Sequence, residues 1–208
     1  MLAARLTRNL TAAALTLSFL VVPASAHAAT THAKDVKATV ALGDKRPARA
    51  HVAAADCANA DLAPTAGNLD LVRAAVLCLH NKIRAQKGLP LLKENAKLRK
   101  AAVAHSSEMV SEGYFDHTTP GGSTFVDRVL GAGYARRTDG WTLGENLAWG
   151  TGDLSTPTGV MQAWMNSAGH KANILKKVYR EVGIGISLGV PSDEGVGATV
   201  TADFGVKL

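Results

Sequence analysis

The chain has 208 residues, 47% of them hydrophobic, with 23 Lys and Arg against 17 Asp and Glu and a formal net charge of +6. The 152 residues from Cys57 to the end suffice for one domain with a real core and exclude two. The cations are scattered without a block of five, which excludes a nucleic-acid footprint and leaves only a weak attraction to an anionic cell wall or membrane surface.

Arg5 and Arg8 precede an apolar run from Leu10 to Val22, and Pro23 to Ala28 supply small-x-small cleavage sites. This is the order of a secretory signal peptide, residues 1–28. A run of about 13 residues is too short to favour a membrane span. Cleavage removes two arginines and no acid, so +6 becomes +4. Residues 29–56, rich in Ala, Thr, Lys and His without an apolar period, are expected to be a flexible lead-in. Residues 57–208 form the domain. Export favours a disulfide between Cys57 and Cys78, the only two cysteines, over free buried thiols. A loop of this length gives it a chain-entropy benefit of about 3 kcal/mol.

Asn68 is the expected N-cap of a first helix, in which Leu71, Val72, Ala75, Val76, Leu79 and Ile83 recur until Gly88 and Pro90. A second helix runs from about Asn95 to Gly113, with Leu98, Ala102, His105 and Met109 on one face. His105 is therefore expected in the core, hydrogen-bonded. Ser123 or Thr124 caps a short third helix ending at Gly131 and Gly133. Thr156-Pro157 opens a fourth, with Val160, Met161, Trp164 and Met165 inward. A strand is expected around Leu143 to Trp149. Two period-two segments, Val182 to Leu188 and Val196 to Phe204, form an antiparallel hairpin. Helices first and strands late indicate an α+β domain with helices packed on an antiparallel sheet.

No Gly-x-Ser-x-Gly elbow, His-Glu-x-x-His, phosphate loop or Cys-x-x-Cys occurs. His105 and Ser106, adjacent on a helix, point about 100° apart and cannot form a nucleophile and base pair. Any chemistry must come from distant segments. Polar residues among turn-formers stand out in Tyr114 to Pro120, Gly144-Glu145-Asn146-Leu147-Ala148-Trp149-Gly150, and Ala163 to Leu175 containing Gly169-His170-Lys171-Ala172-Asn173. With His80-Asn81-Lys82-Ile83-Arg84, Gly88-Leu89-Pro90 and Ala202-Asp203-Phe204-Gly205, these strings resemble the CAP superfamily of cysteine-rich secretory, antigen 5 and pathogenesis-related 1 proteins, in its bacterial secreted form.

The resemblance covers about residues 75–206. It implies an α-β-α sandwich and a shallow cleft holding two His and usually two acids. The first His falls on His117, the first acid on Glu145 and the second His on His170. The second acid is expected shortly after the helical Trp, where Met165-Asn166-Ser167-Ala168 carries no carboxylate.

Two neutral imidazoles and a carboxylate are a ligand set for zinc, so His117, Glu145 and His170 are the candidate metal ligands. Without metal the same trio could move protons near neutral pH. The competing roles are structural. His117 could organise the Pro-Gly-Gly turn, and His170 could cap or pack a short helix. Glu145 shares strand parity with Leu143, Leu147 and Trp149, where a carboxylate is costly unless paired. Asn146 and Asn173 are expected to satisfy backbone groups, and Trp149 and Trp164 to be core. The leading functional expectation is a secreted, non-catalytic module that binds a metal, lipid, glycan or other cell-envelope ligand in this cleft. The alternatives are a zinc-dependent hydrolase of peptides or envelope material, and an interaction scaffold with a vestigial cleft.

Overall fold

Helix α1, Leu69–Gln86, is the first element of the computed structural model, which describes residues 57–208 apart from 193 and 194. The expected signal peptide and lead-in lie outside the described residues. Asn68 precedes α1 but does not cap it. Its side chain instead accepts from the Thr65 N–H at 2.7 Å and donates to the Ala63 carbonyl at 3.0 Å, closing the preceding turn. Cys57 is bonded to Cys78 on α1, with the Cα atoms 5.7 Å apart.

The other helices start and stop on local chemistry. In α2, Ala96–Glu112, the Asn95 side-chain oxygen accepts from the Lys97 and Leu98 N–H groups, and Gly113 at φ 66° ends the helix. Thr124 and Asp127 form a reciprocal capping box on α3, Phe125–Gly131. Thr156 caps α4, Pro157–Asn166, with Pro at its start. After a break at Ser167, α5 runs Ala168–Leu175.

Four strands form one sheet in the order β1-β3-β4-β2. Strands β3, Glu181–Leu188, and β4, Gly197–Lys207, are the expected antiparallel hairpin. Strand β2, Trp141–Thr151, outruns the expected segment by two residues at each end because it pairs with β4 from Trp141↔Lys207 to Thr151↔Gly197. Two-residue β1, Lys93–Glu94, and the 3-10 turn Gly152–Ser155 are too short to show a period in sequence.

The layers are α-β-α. Val182, Ile184 and Ile186 of β3 and Ala198, Val200, Ala202 and Phe204 of β4 share one face. They make the main core with Val72 and Val76 of α1, Val160, Met161 and Trp164 of α4 and Ile174 of α5. The other face carries α2. A Cβ on Gly183 or Gly185 would lie about 2 Å from the α2 backbone at Leu98 to Val103, so only glycine permits this approach. No helix among the described residues is long and apolar enough to cross a membrane.

Arg84 fastens the far layer. It is fully buried with no carboxylate partner among the described residues, and its guanidinium donates to the carbonyls of Pro90 (2.8 Å), Ile174 (2.8 Å), Lys176 (3.0 Å) and Tyr179 (3.1 Å). The Ile174 and Lys176 carbonyls close the C-terminal end of α5, where the helix dipole favours a cation. Strand β2 is a sheet edge, yet three of its outward carbonyls are occupied. Leu143 accepts from the Tyr179 hydroxyl (2.8 Å), Glu145 from Asn173 Nδ2 (3.1 Å) and Leu147 from Trp164 Nε1 (2.9 Å). A Cβ on Gly144 would stand 2.2 Å from the Tyr179 hydroxyl, so the ladder requires glycine there.

Two stability predictions arise here. Arg84→Met should lower unfolding free energy by about 3 kcal/mol or more in denaturant titration, since it strands buried carbonyls. Arg84→Lys should recover little of that, because an ammonium cannot span the same four acceptors. The second concerns His80, buried against Trp164 and Phe204, where Nδ1 reaches the Val76 carbonyl at 2.8 Å and Nε2 has no partner. Burial pushes its pKa down from 6.5 to about 4. Between those values the unfolded chain binds the extra proton, so stability falls on acidification from about pH 6.5 to 4, by about 3 kcal/mol from this group. His80→Phe should flatten the stability curve over that window; an unchanged slope would refute the assignment.

Candidate functional site

Glu145 sits in the middle of β2 directly across from Asp203 of β4, both on the α2 face of the sheet. Its side chain is only 1% exposed, and both oxygens are engaged. Oε1 accepts from His117 Nδ1 at 2.8 Å, and Oε2 accepts from the Arg128 guanidinium at 2.7 Å. A buried carboxylate is tolerable here because it is paired and hydrogen-bonded.

Arg128, on α3, also donates to the carbonyls of His117 (2.9 Å) and Ser123 (3.2 Å). It thereby ties the 117–123 turn to the site. His105 supports the same turn from below: fully buried on α2, its Nε2 lies 3.0 Å from the Asp116 carbonyl. It is the hydrogen-bonded core residue expected from the α2 stripe. Burial, then the Arg128 charge, lowers its pKa.

His170 enters from the first turn of α5. Its carbonyl accepts from Asn146 Nδ2 at 3.0 Å, and Asn173 Nδ2 bridges to Asn146 Oδ1 at 2.9 Å. Asn146 and Asn173 thus satisfy backbone groups, as the sequence indicated. Trp164 is core; Trp149 is not. At 38% exposed it lies beyond the part of the α2 face that is covered, so its expected burial is corrected.

The two imidazoles have opposite electrostatics. The hydrogen bond to Glu145 holds the His117 pKa above its ordinary value, with burial opposing. Burial, then the charge of His117, pushes His170 below its ordinary value. His117 is half-exposed, its side chain 52% accessible. With Nδ1 on Glu145, its Nε2 is left for a ligand. The pair therefore offers one imidazole biased toward the proton-bearing state and one biased toward the neutral state.

Two residues of the cluster escaped the sequence reading. Asp203 is a second acid at the site, contributed by β4 and not by the stretch after the helical Trp. It is 1% exposed, and neither oxygen is met by a donor. Burial, followed by the charge of Glu145, drives its carboxyl well above the usual carboxylate range. Arg128 was the other omission. Parity singled out Glu145, which interrupts the apolar side of β2, whereas Asp203 follows Thr199 and Thr201 on the polar side of β4 and gives no such signal.

The expected zinc ligands meet a chemical obstacle. Both Glu145 oxygens are committed, one to a guanidinium that would sit beside a dication. Among the described residues no three His, Cys, Asp or Glu side chains are grouped to hold a metal. As arranged, His117, Glu145 and His170 do not fit a three-ligand zinc site.

The model of the CAP group, described as the cysteine-rich secretory protein family, matches residues 77–201. Protein YkwD of Bacillus subtilis (strain 168) is 37% identical over 110 residues, 53% of this chain and 40% of that protein. A crystal structure of an extracellular protein containing a SCP domain from Bacillus anthracis is 28% identical with a TM-score of 0.50, covering 66% of this chain and 40% of the other. An outer surface protein of Borrelia burgdorferi, 19% identical with a TM-score of 0.51 over 70% of this chain and 96% of the other, shows likeness of fold alone. The matched region spans less than half of YkwD and of the Bacillus anthracis protein.

If Glu145 organises the cleft, NMR titration of the histidine Cε1–H resonances should find His117 titrating above the ordinary histidine value and His170 below it. In Glu145→Gln the His117 titration should move down, because its charged acceptor is gone. An unmoved His117 midpoint would show that the carboxylate does not hold its proton.

Proposed function

The chain belongs to the cysteine-rich secretory protein family, and from that premise we propose that it is an extracellular module whose His117, Glu145 and His170 cleft binds a ligand without catalysing a reaction. Export is supported by the order of charged, apolar and small residues in 1–28. The Bacillus anthracis relative described as extracellular adds to it. The observation that carries binding over catalysis is the commitment of Glu145 at both oxygens.

A hydrolase of peptides or envelope material needs a group free to activate water or attack a carbonyl. Glu145 is occupied and Asp203 is sealed away from solvent. What the cleft presents is a half-exposed imidazole steadied by a carboxylate, with a second imidazole nearby. That set recognises hydrogen-bonding groups of a polar ligand, such as the headgroup of a lipid or the hydroxyls of a glycan. Zinc would become a ligand only if Arg128 were displaced, which frees Glu145 and removes the competing charge.

Thermal-shift measurements test this with three probes: zinc chloride, a short-chain phosphatidylglycerol and an oligomer of N-acetylglucosamine. The lipid or the glycan should raise the melting temperature of the wild type. The shift should vanish in His117→Ala and in His170→Ala. Zinc should stabilise Arg128→Ala more than the wild type. A wild type indifferent to all three probes would overturn the binding reading. Chelator-sensitive peptide hydrolysis that disappears in Glu145→Gln would overturn the non-catalytic one.

A further inference from the structure

We propose that the surface carrying Lys87, Lys93, Lys176, Lys177 and Arg180 is a docking face for a linear phosphate polyanion of the cell envelope. In sequence these cations belong to two separate stretches. No acidic residue occurs between Asp70 and Glu94, nor between Asp153 and Glu181.

The fold brings the two acid-free stretches together. Arg84 of α1 bonds the carbonyls of Pro90, Ile174, Lys176 and Tyr179, so the end of α1 and the turn after α5 surround one guanidinium. Next to it, the Lys93 N–H donates to the Arg180 carbonyl at 2.9 Å. Lys87, Lys93, Lys176, Lys177 and Arg180 are all exposed, and none has a carboxylate partner among the described residues. Two are held in place locally. Lys176 Nζ lies 5.1 Å from the Tyr179 ring centre, and the Arg180 guanidinium donates to the carbonyls of Lys177, Val178 and Tyr179.

Gathering like charges does not stabilise a fold; self-repulsion opposes it. Elsewhere on the molecule exposed arginines are matched: Arg99 with Glu94, Arg136 with Asp139 and Arg137 with Asp127. Lys97 and Lys100 also lack a carboxylate partner among the described residues, so what sets this face apart is the gathering of five cations from two acid-free stretches into a concentrated positive field. Its ligand must be rich in negative charge. A protein partner would want aromatic and aliphatic anchors at the centre, and Leu91, 44% exposed, is the only large exposed hydrophobic residue within 87–93 and 176–180. A membrane would equally want apolar residues to insert beneath the headgroups. A flexible polymer with a phosphate at each repeat needs neither. Its envelope location rests on the export reading; the surface chemistry does not depend on the cleft.

The probe is long-chain inorganic polyphosphate, measured by fluorescence anisotropy on the purified protein. Binding should weaken by on the order of tenfold or more between about 50 and 200 mM salt, as several ion contacts are screened. The triple variant Lys87→Glu, Lys176→Glu, Lys177→Glu should lose binding at least tenfold, while the same three positions changed to Arg retain it. A control with equal charge change elsewhere, Lys97→Glu, Lys100→Glu, Lys207→Glu, should bind within about threefold of wild type, with melting temperatures confirming that each variant folds. Equal loss in the control would reduce the effect to net charge and overturn the docking face. Retention of binding in the first triple variant would overturn it too, as would binding to phosphatidylglycerol vesicles without binding to polyphosphate. Loss of the cleft ligand in His117→Ala with polyphosphate binding intact would separate this face from the cleft.

Discussion

A buried guanidinium without a carboxylate is the constraint on which the rest of the domain depends. Arg84 is solvated by four backbone carbonyls contributed by the loop after α1, the end of α5 and the turn that follows it. Desolvating a cation is expensive, and these dipoles compensate only while all of them stay in place. The path of residues 174–179 is therefore fixed by the requirements of a side chain on α1. Because His170, Asn173 and Tyr179 are carried by α5 and that turn, the same interaction sets where the cleft can form. The disulfide from Cys57 to Cys78 fastens α1 to the start of the domain.

From that anchor the geometry passes to β2. Asn173 and Tyr179 reach the outer carbonyls of Glu145 and Leu143, and Trp164 of α4 reaches that of Leu147. Holding the backbone of Glu145 fixes which face its carboxylate occupies. There it meets Arg128 and His117 on one side and Asp203 on the other. Burial and the charge of Glu145 raise the Asp203 carboxyl well above the usual carboxylate range, which disfavours a second negative charge on the same sheet rung.

Much of this was legible in the sequence. Period-two alternation located β3 and β4, since their inward face carries Val, Ile and Phe against Gly and Thr. Capping chemistry at Ser123 or Thr124 and at Thr156 marked two helix starts, which Thr124 and Thr156 fulfil, whereas Asn68 does not cap the first helix. The three polar strings led to His117, Glu145 and His170, and the structure brings His117 directly onto Glu145. What sequence did not disclose was long-range charge matching. Arg128 resembles any surface cation on a short helix until the 117–123 turn folds over it. Asp203 stood inside a recognised string, yet its pairing with Glu145 depends on the β2 to β4 register, which no local pattern specifies. Trp149 follows the parity of Leu147, but α2 lies over β3 and β4, and Trp149 stands on the edge strand beside them. The cations of 87–93 and 176–180 appeared scattered because the distance between them is large along the chain and small in the fold.

The occupied edge of β2 has one more consequence. An eleven-residue strand at the border of a sheet is normally a template on which another chain can add, and in crowded, partly folded states such pairing starts aggregation. Here the outward carbonyls of Leu143, Glu145 and Leu147 already accept from Tyr179, Asn173 and Trp164. An incoming strand would have to outcompete donors tethered within the same molecule, two of them on the α5 side of the Arg84 anchor. Tyr179, Asn173 and Trp164 therefore also serve as a guard against polymerisation, and loosening them would endanger solubility as well as the setting of Glu145.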